Sequence, residues 1–107
     1  MSTKQIDSTI NIINPKNGEI FDSIDMDSLK TLDRIVEKGE SAFQTWKSRT
    51  LRDRAQILYK YRNLLIQHSD SLTQLIQKEN GKTEGEARAE IEKAIEVTEF
   101  ACSLPQL

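Results

Sequence analysis

Near the middle of the segment KENGKTEGEA, Lys78 to Ala87, stands the triplet Gly81-Lys82-Thr83, which has the form of the end of a phosphate-cradling loop. In such a loop the backbone N–H groups wrap the phosphates, the lysine reaches the terminal ones and the hydroxyl meets magnesium. That arrangement needs a strand before it and another glycine five residues ahead of the first. The position five back from Gly81 is Ile76, which lies in a stretch with helical spacing. Neither requirement is met. The triplet reads instead as punctuation: Gly81 ends one helix in a left-handed turn, Thr83 caps the next, and Lys82 stands exposed between them.

Other residues with reactive side chains are few. Cys102 is the only cysteine and His68 the only histidine, and they are far apart in sequence. A thiol nucleophile needs an activating base or a positive field, and Cys102 lies instead on an apolar helical face, where it reads as a small buried hydrophobe. One histidine and one cysteine cannot make a zinc site. No GxGxxG occurs. Glu86 with Glu90, and Glu92 with Glu96, are spaced one helical turn apart, but Arg88 and Lys93 lie among them. Such acids are expected on a solvated face rather than desolvated for acid/base work. No catalytic and no cofactor-binding residue is assigned from the residues themselves.

The 107 residues amount to at most one domain, 36% hydrophobic and 30% charged, with a mean hydropathy of -0.58. That is lean for a core-forming sequence, and it implies a surface that expects a partner. A net charge of -2 and a pI near 5.4 give no overall footprint for nucleic acid. The charge is uneven, however. Lys47, Arg49, Arg52, Arg54, Lys60 and Arg62 face a single acid, Asp53, within one stretch, while Glu84, Glu86, Glu90, Glu92, Glu96 and Glu99 make the last helix acidic. Mutually attracting helix faces account for both, without a nucleic-acid partner. A lone cysteine forms no internal disulfide, and no apolar run approaches a signal segment or a membrane span. A reducing cytoplasm and no membrane partner are expected.

The elements that position these residues can be read from spacing. Residues 1–8 are polar, an expected frayed start, and residues 9–107 form a single partial domain. Thr9 to Ile13 is rich in β-branched residues, Asn14-Pro15-Lys16-Asn17-Gly18 supplies turn chemistry, and Glu19 to Asp25 alternates imperfectly. The spacing predicts a hairpin over 9–25. Leu29, Leu32, Ile35, Val36, Gly39, Phe43 and Trp46 then recur at helical spacing behind Asp27 or Ser28 as a cap. Gly39 on that stripe suggests that another backbone comes close. Thr50 caps a second helix with a broad apolar face through Leu51, Ala55, Leu58, Tyr61 and Leu65, expected to be the central one. A third starts at Ser69 or Asp70, and a fourth carries Ala87, Ile91, Ala94, Ile95, Thr98 and Ala101 until Pro105 ends it. The expected helices cover about 27–47, 50–68, 70–80 and 83–103. The fold class is mainly α, four helices behind a short N-terminal β-hairpin.

Four local strings, in order, carry a resemblance. Asn14-Pro15-Lys16-Asn17-Gly18-Glu19 resembles an "NPxTGE" turn, and Ser41-Ala42-Phe43 with Trp46 resembles an "AAF…W" helix end. Arg54-Ala55-Gln56-Ile57-Leu58 resembles "RAxxL", and Glu79-Asn80-Gly81-Lys82 resembles "E-T/S/N-GK". Together they resemble the N-terminal part of the NAD(P)-dependent aldehyde dehydrogenase superfamily, from about Ile10 to Leu107. The run Ile95 to Pro105 is similar to "GIEVVEFACxxPxL" of the methylmalonate-semialdehyde branch, and Ala87 to Glu90 is the "ARAE" that other semialdehyde dehydrogenases, including succinate-semialdehyde-like members, share. The resemblance implies a partial N-terminal piece of an α/β fold and a parent that oxidises an aldehyde or semialdehyde to an acid or acyl-CoA with NAD or NADP. It places the catalytic and nucleotide-binding motifs outside the matched segment. Cys102 does not match the family's nucleophile motif. Glu79 alone matches a position that lines a monovalent-cation site in some relatives, with carbonyls near Ile13 as co-ligands. The implied partner is the remainder of the parent enzyme or a second copy. The alternative is a stand-alone helical oligomerisation or interaction module without catalysis.

Overall fold

The structure is a computed structural model that describes residues 8–107. The expected frayed start, apart from Ser8, lies outside those residues. Strands β1 (Thr9–Ile13) and β2 (Ile20–Asp25) form an antiparallel hairpin, followed by helices α1 (Leu29–Trp46), α2 (Leu51–Gln67), α3 (Ser69–Asn80) and α4 (Glu84–Ser103) and a closing 3-10 turn, Leu104–Gln106. Four helices behind one hairpin is the architecture expected from the sequence.

The turn works through its side chains as well as its backbone. Asn14 Oδ1 accepts from the Lys16 N–H at 2.9 Å, Asn17 Oδ1 accepts from the Glu19 N–H at 3.0 Å, and Gly18 takes a φ of 75°. Only glycine holds that backbone without a Cβ penalty. Pairing runs from Thr9 with Asp25 to Ile12 with Asp22, then jumps to Ile13 with Ile20, leaving Phe21 as an extra residue in the ladder. This bulge explains the imperfect alternation of β2: an inserted residue shifts every later side chain to the other face. Phe21 is half-buried, with the Lys78 ammonium 4.4 Å from its ring centroid. In the turn, Pro15 lies against Gly81, whose added Cβ would meet Pro15 Cγ at 3.0 Å. The hairpin is thereby seated on the C-terminal end of α3.

Each helix start has a chemical reason, except that α3 follows α2 directly through His68 without a side-chain cap. Of the two candidate caps for α1, Ser28 is the one used, its hydroxyl accepting from the Thr31 N–H at 3.1 Å. Thr50 accepts from the Asp53 N–H at 3.1 Å to start α2. Each cap satisfies a backbone donor that the first turn leaves without a partner.

The core differs from expectation in its centre. Helix α4, not α2, is central: it packs against both α2 and α3, while those two barely touch each other. The reason is side-chain size. Ala87, Ile91, Thr98 and Cys102 are buried along α4 and are mostly small, so that α2 can approach at Ala55 and α3 at Thr73. The two buried hydroxyls are satisfied within their own helices, Thr73 by the Ser69 carbonyl at 2.7 Å and Thr98 by that of Ala94 at 2.8 Å, as burial of a polar group demands.

Helix α1 has no buried residue and takes no substantial part in the packing between elements. No atom stands within 4 Å of a Cβ added at Gly39, so the close approach expected there is absent among the described residues. The molecule measures 58 × 40 × 19 Å, with a radius of gyration of 19.1 Å, where a compact chain of this length has about 13 Å. Apolar side chains that a closed domain would bury, such as Leu32, Ile35, Val36 and Phe43, are each at least half exposed.

Candidate functional site

The Gly81-Lys82-Thr83 junction is a helix boundary. Gly81 has a φ of 70° and its N–H donates to the Gln77 carbonyl, closing α3. Thr83 begins α4 with a reciprocal cap: its hydroxyl accepts from the Glu86 N–H at 3.3 Å, and Glu86 Oε2 accepts from the Thr83 N–H at 3.0 Å. The Thr83 N–H and hydroxyl hold the Glu86 carboxyl below its usual pKa, with a smaller contribution from the nearby Lys82 charge. Lys82 is not free for a phosphate, because its ammonium pairs with Glu90; it is half-buried rather than fully exposed. Ile76 lies inside α3, so the cradle that a nucleotide phosphate would need is not built here.

The acids of α4 are engaged mostly by local or cross-helix cations. Arg88 bridges to Asp70 of α3 at 3.0 Å and to Glu84 at 3.2 Å; these two carboxylates raise its already high pKa. Lys93 meets Glu96 at 3.1 Å. Arg62 reaches from α2 to Glu99 on α4 at 2.9 Å, so the basic stretch and the acidic helix do attract one another. These are partly exposed surface pairs of small energetic value.

Cys102 is buried on the α4 face that meets α2, and His68 is exposed at the α2–α3 junction, so the thiol has no imidazole beside it. Glu79 stands exposed in the last turn of α3. Lys78, one residue before it, and Gly81, two after, are the residues that meet Phe21 and Pro15 of the hairpin. No group of three or more His, Cys, Asp or Glu gathers to hold a metal ion among the described residues, and none of their helices is long and apolar enough to cross a membrane.

A place that sequence reasoning passed over is an apolar groove of about 310 Å3 lined by Trp46, Leu51, Arg54, Ala55, Leu58, Ala101, Leu104 and Pro105. Arg54 is half-buried, and its Nε is covered by the chain's own atoms without a hydrogen-bond partner among the described residues. Sequence reasoning treated Arg54 as one cation of a basic run. The signal was its place three residues after Leu51 and four before Leu58, which puts it on the apolar face.

Comparison with known proteins resolves what the reactive residues leave open. The sequence pattern of the aldehyde dehydrogenase family matches residues 2–106. The chain belongs to that family. It is 40% identical over 94 residues to malonate-semialdehyde dehydrogenase 1 of Geobacillus thermodenitrificans, which covers 88% of this chain and 19% of that relative. Malonate-semialdehyde dehydrogenase 2 of Bacillus mycoides is 37% identical over 106 residues, 99% of this chain and 21% of its own length. The crystal structure of methylmalonate-semialdehyde dehydrogenase from Oceanimonas doudoroffii superposes with a TM-score of 0.88 at 32% identity, over 99% of this chain and 22% of that one. A NAD-dependent benzaldehyde dehydrogenase from Corynebacterium glutamicum gives the same TM-score at 26% identity. The chain thus spans about a fifth of the length of these relatives, in their N-terminal part. A segment of this length has little chain with which to cover its own apolar surface, in keeping with the open packing.

Proposed function

We propose that this chain supplies the N-terminal segment of a cytoplasmic NAD(P)-dependent semialdehyde dehydrogenase and turns over no aldehyde by itself. The observation that carries the reading is the match over residues 2–106, with similarity to semialdehyde dehydrogenases along nearly the whole chain. The resemblance implies a parent enzyme in which a cysteine would supply the nucleophile for the aldehyde carbon, NAD(P) would supply the hydride acceptor, and water or coenzyme A would take the acyl group. The residues of this segment do not fit those tasks. Cys102 is buried without a base, Lys82 is paired with Glu90, and no GxGxxG occurs. The role of the segment is structural, with α4 and its partners forming a seat on which the remainder of the enzyme closes.

The same reading gives Glu79 a place at a monovalent-cation site. One exposed carboxylate suits a weakly held monovalent ion, whereas a divalent ion would demand several carboxylates. Glu79 stands where the hairpin meets α3, which favours carbonyls of the β1 end as its co-ligands.

The test is direct. Purified chain is incubated with NAD or NADP and malonate or methylmalonate semialdehyde, with and without coenzyme A, and reduced nucleotide is followed at its absorbance band. No turnover is expected from the chain alone. Turnover is expected when the chain replaces the matching segment of a malonate-semialdehyde dehydrogenase. An active isolated chain, or a replacement that abolishes assembly, would sink the reading.

A further inference from the structure

Helix α1 carries Leu29, Leu32, Val36, Gly39, Phe43 and Trp46 at separations of alternately three and four residues. That is the spacing of a seam along which one α-helix packs lengthwise on another. Ile35 and Ala42 stand beside it and widen it to the kind of face a helix buries in a globular core. Yet α1 has no buried residue. In the middle of the seam Gly39 forms a notch: no atom stands within 4 Å of a Cβ added there, and a cleft of about 530 Å3 is lined by Gly39, Ala42, Phe43, Thr45, Trp46 and Arg49. Gly39 is not among the glycines with positive φ, so no turn requires it. Glycine inside a helix weakens that helix, and what it supplies here is room.

We propose that an α-helix contributed by the part of an aldehyde dehydrogenase subunit outside the segment matched here lies along this face of α1 and makes its closest approach at Gly39. The inference rests on the reading of this chain as one part of a longer enzyme. The relatives of which the chain spans about a fifth have the rest of their length to supply that helix. A helix is chosen over a strand because the ridge of a second helix enters a notch between larger side chains, here Val36 and Phe43, whereas the flatter side of a sheet bridges it and leaves it empty. A second copy of this chain is a poorer occupant. An antiparallel two-fold contact centred on Gly39 would bring Glu40 beside its own counterpart.

The experiment makes Gly39→Leu in two settings: the free chain, and a chimera in which the chain replaces the matched N-terminal fifth of the Geobacillus thermodenitrificans malonate-semialdehyde dehydrogenase. In the free chain the leucine meets open space and favours the helix, so the melting midpoint is unchanged or raised. In the chimera it fills the notch that the incoming helix needs and lowers the midpoint by at least about 2 °C. Lys38→Leu, one residue off the seam, lowers neither. The wild-type proteins give a second reading that needs no substitution: in hydrogen exchange, the α1 amides are at least about tenfold slower in the chimera than in the free chain. The amides outside the matched segment that speed up in the Gly39→Leu chimera fall within one helix of the superposable dehydrogenase fold; if they fall in a strand, the helix is refuted. An assembled chimera in which Gly39→Leu costs nothing, or costs no more than Lys38→Leu, overturns the inference alone. So do α1 amides that exchange equally fast in both settings, and an equal loss in both, which would mark Gly39 as a need of the segment itself. A wild-type chimera that fails to assemble overturns this inference and the parent reading together. A dimer of the free chain, seen by light scattering and abolished by Gly39→Leu, would give the face to a second copy and overturn it as well.

Discussion

Pro15 lies against Gly81 so closely that a Cβ on the glycine would fall 3.0 Å from Pro15 Cγ, and Gly81 holds a φ of 70°. Two demands therefore meet at one residue: left-handed backbone to end α3, and bare space to seat the hairpin. Gly81→Ala violates both, and a loss of about 1–2 kcal/mol is expected. Gly81→Asn separates them, because asparagine tolerates left-handed backbone yet still carries a Cβ. Thermal melts should place Asn between Gly and Ala, with limited proteolysis near Asn14–Gly18 faster in both variants. Equal stability of all three proteins would refute the contact.

The reciprocal cap at the start of α4 gives a pH dependence with a definite sign. Glu86 has a lowered pKa in the folded chain because the Thr83 N–H and hydroxyl donate to its carboxylate. A depressed folded-state value contributes stability above the unfolded pKa, and that contribution is lost as pH falls through the folded one. Glu86→Gln should therefore be less stable than the wild type near neutrality, and the gap should close below about pH 4. Thr83→Ala removes the other half of the cap and costs about 1 kcal/mol. Melting curves across this range check both. A gap that widens as pH falls would reverse the assignment.

Helices α4 and α1 should respond in opposite ways to truncation. Ile91 is 8% exposed in the seam that α4 makes with its neighbours, whereas Ile35 on α1 is 50% exposed. Ile91→Ala is expected to cost about 2–5 kcal/mol, enough to erase cooperative melting in a chain with so small a core. Ile35→Ala in the free chain should stay within about 0.5 kcal/mol. Hydrogen exchange should report the same division, slow along α4 and fast along α1. Rapid exchange throughout α4 would count against the seam.

Much of this was legible in the sequence because the signals are local. Ser28, Thr50 and Thr83 announce helix starts, and Gly18 and Gly81 announce positive φ. Ile76 alone disqualifies a phosphate loop. The centre of the bundle was not legible, since apolar breadth favours α2 while the decisive property is the small size of Ala87 and Cys102, which matters only once two helices approach. Phe21 broke the period of β2, and a bulge cannot be placed without its partner strand. Gly39 and the α1 stripe gave a correct helix but no neighbour, because what covers a face lies outside the face. Arg54 was hidden by its charge, which reads as surface although the side chain lines an apolar groove with Leu51 and Leu58 and its Nε is buried.

Lys82 decides between a nucleotide loop and a helix boundary in one measurement. Its ammonium is engaged with Glu90, and the two side chains are 39% and 43% exposed. A pair that exposed contributes about 0–1 kcal/mol, so Lys82→Ala should barely move the melting midpoint. A phosphate-loop lysine would behave differently: nucleotide would bind at its position with saturation, and the substitution would abolish binding without touching stability. Calorimetric titration of the chain with ATP, NAD and NADP is expected to show no saturable heat, and Lys82→Ala is expected to change nothing. Saturable binding that Lys82→Ala removes would restore the phosphate loop, in spite of Ile76 standing in the helix where its first glycine belongs.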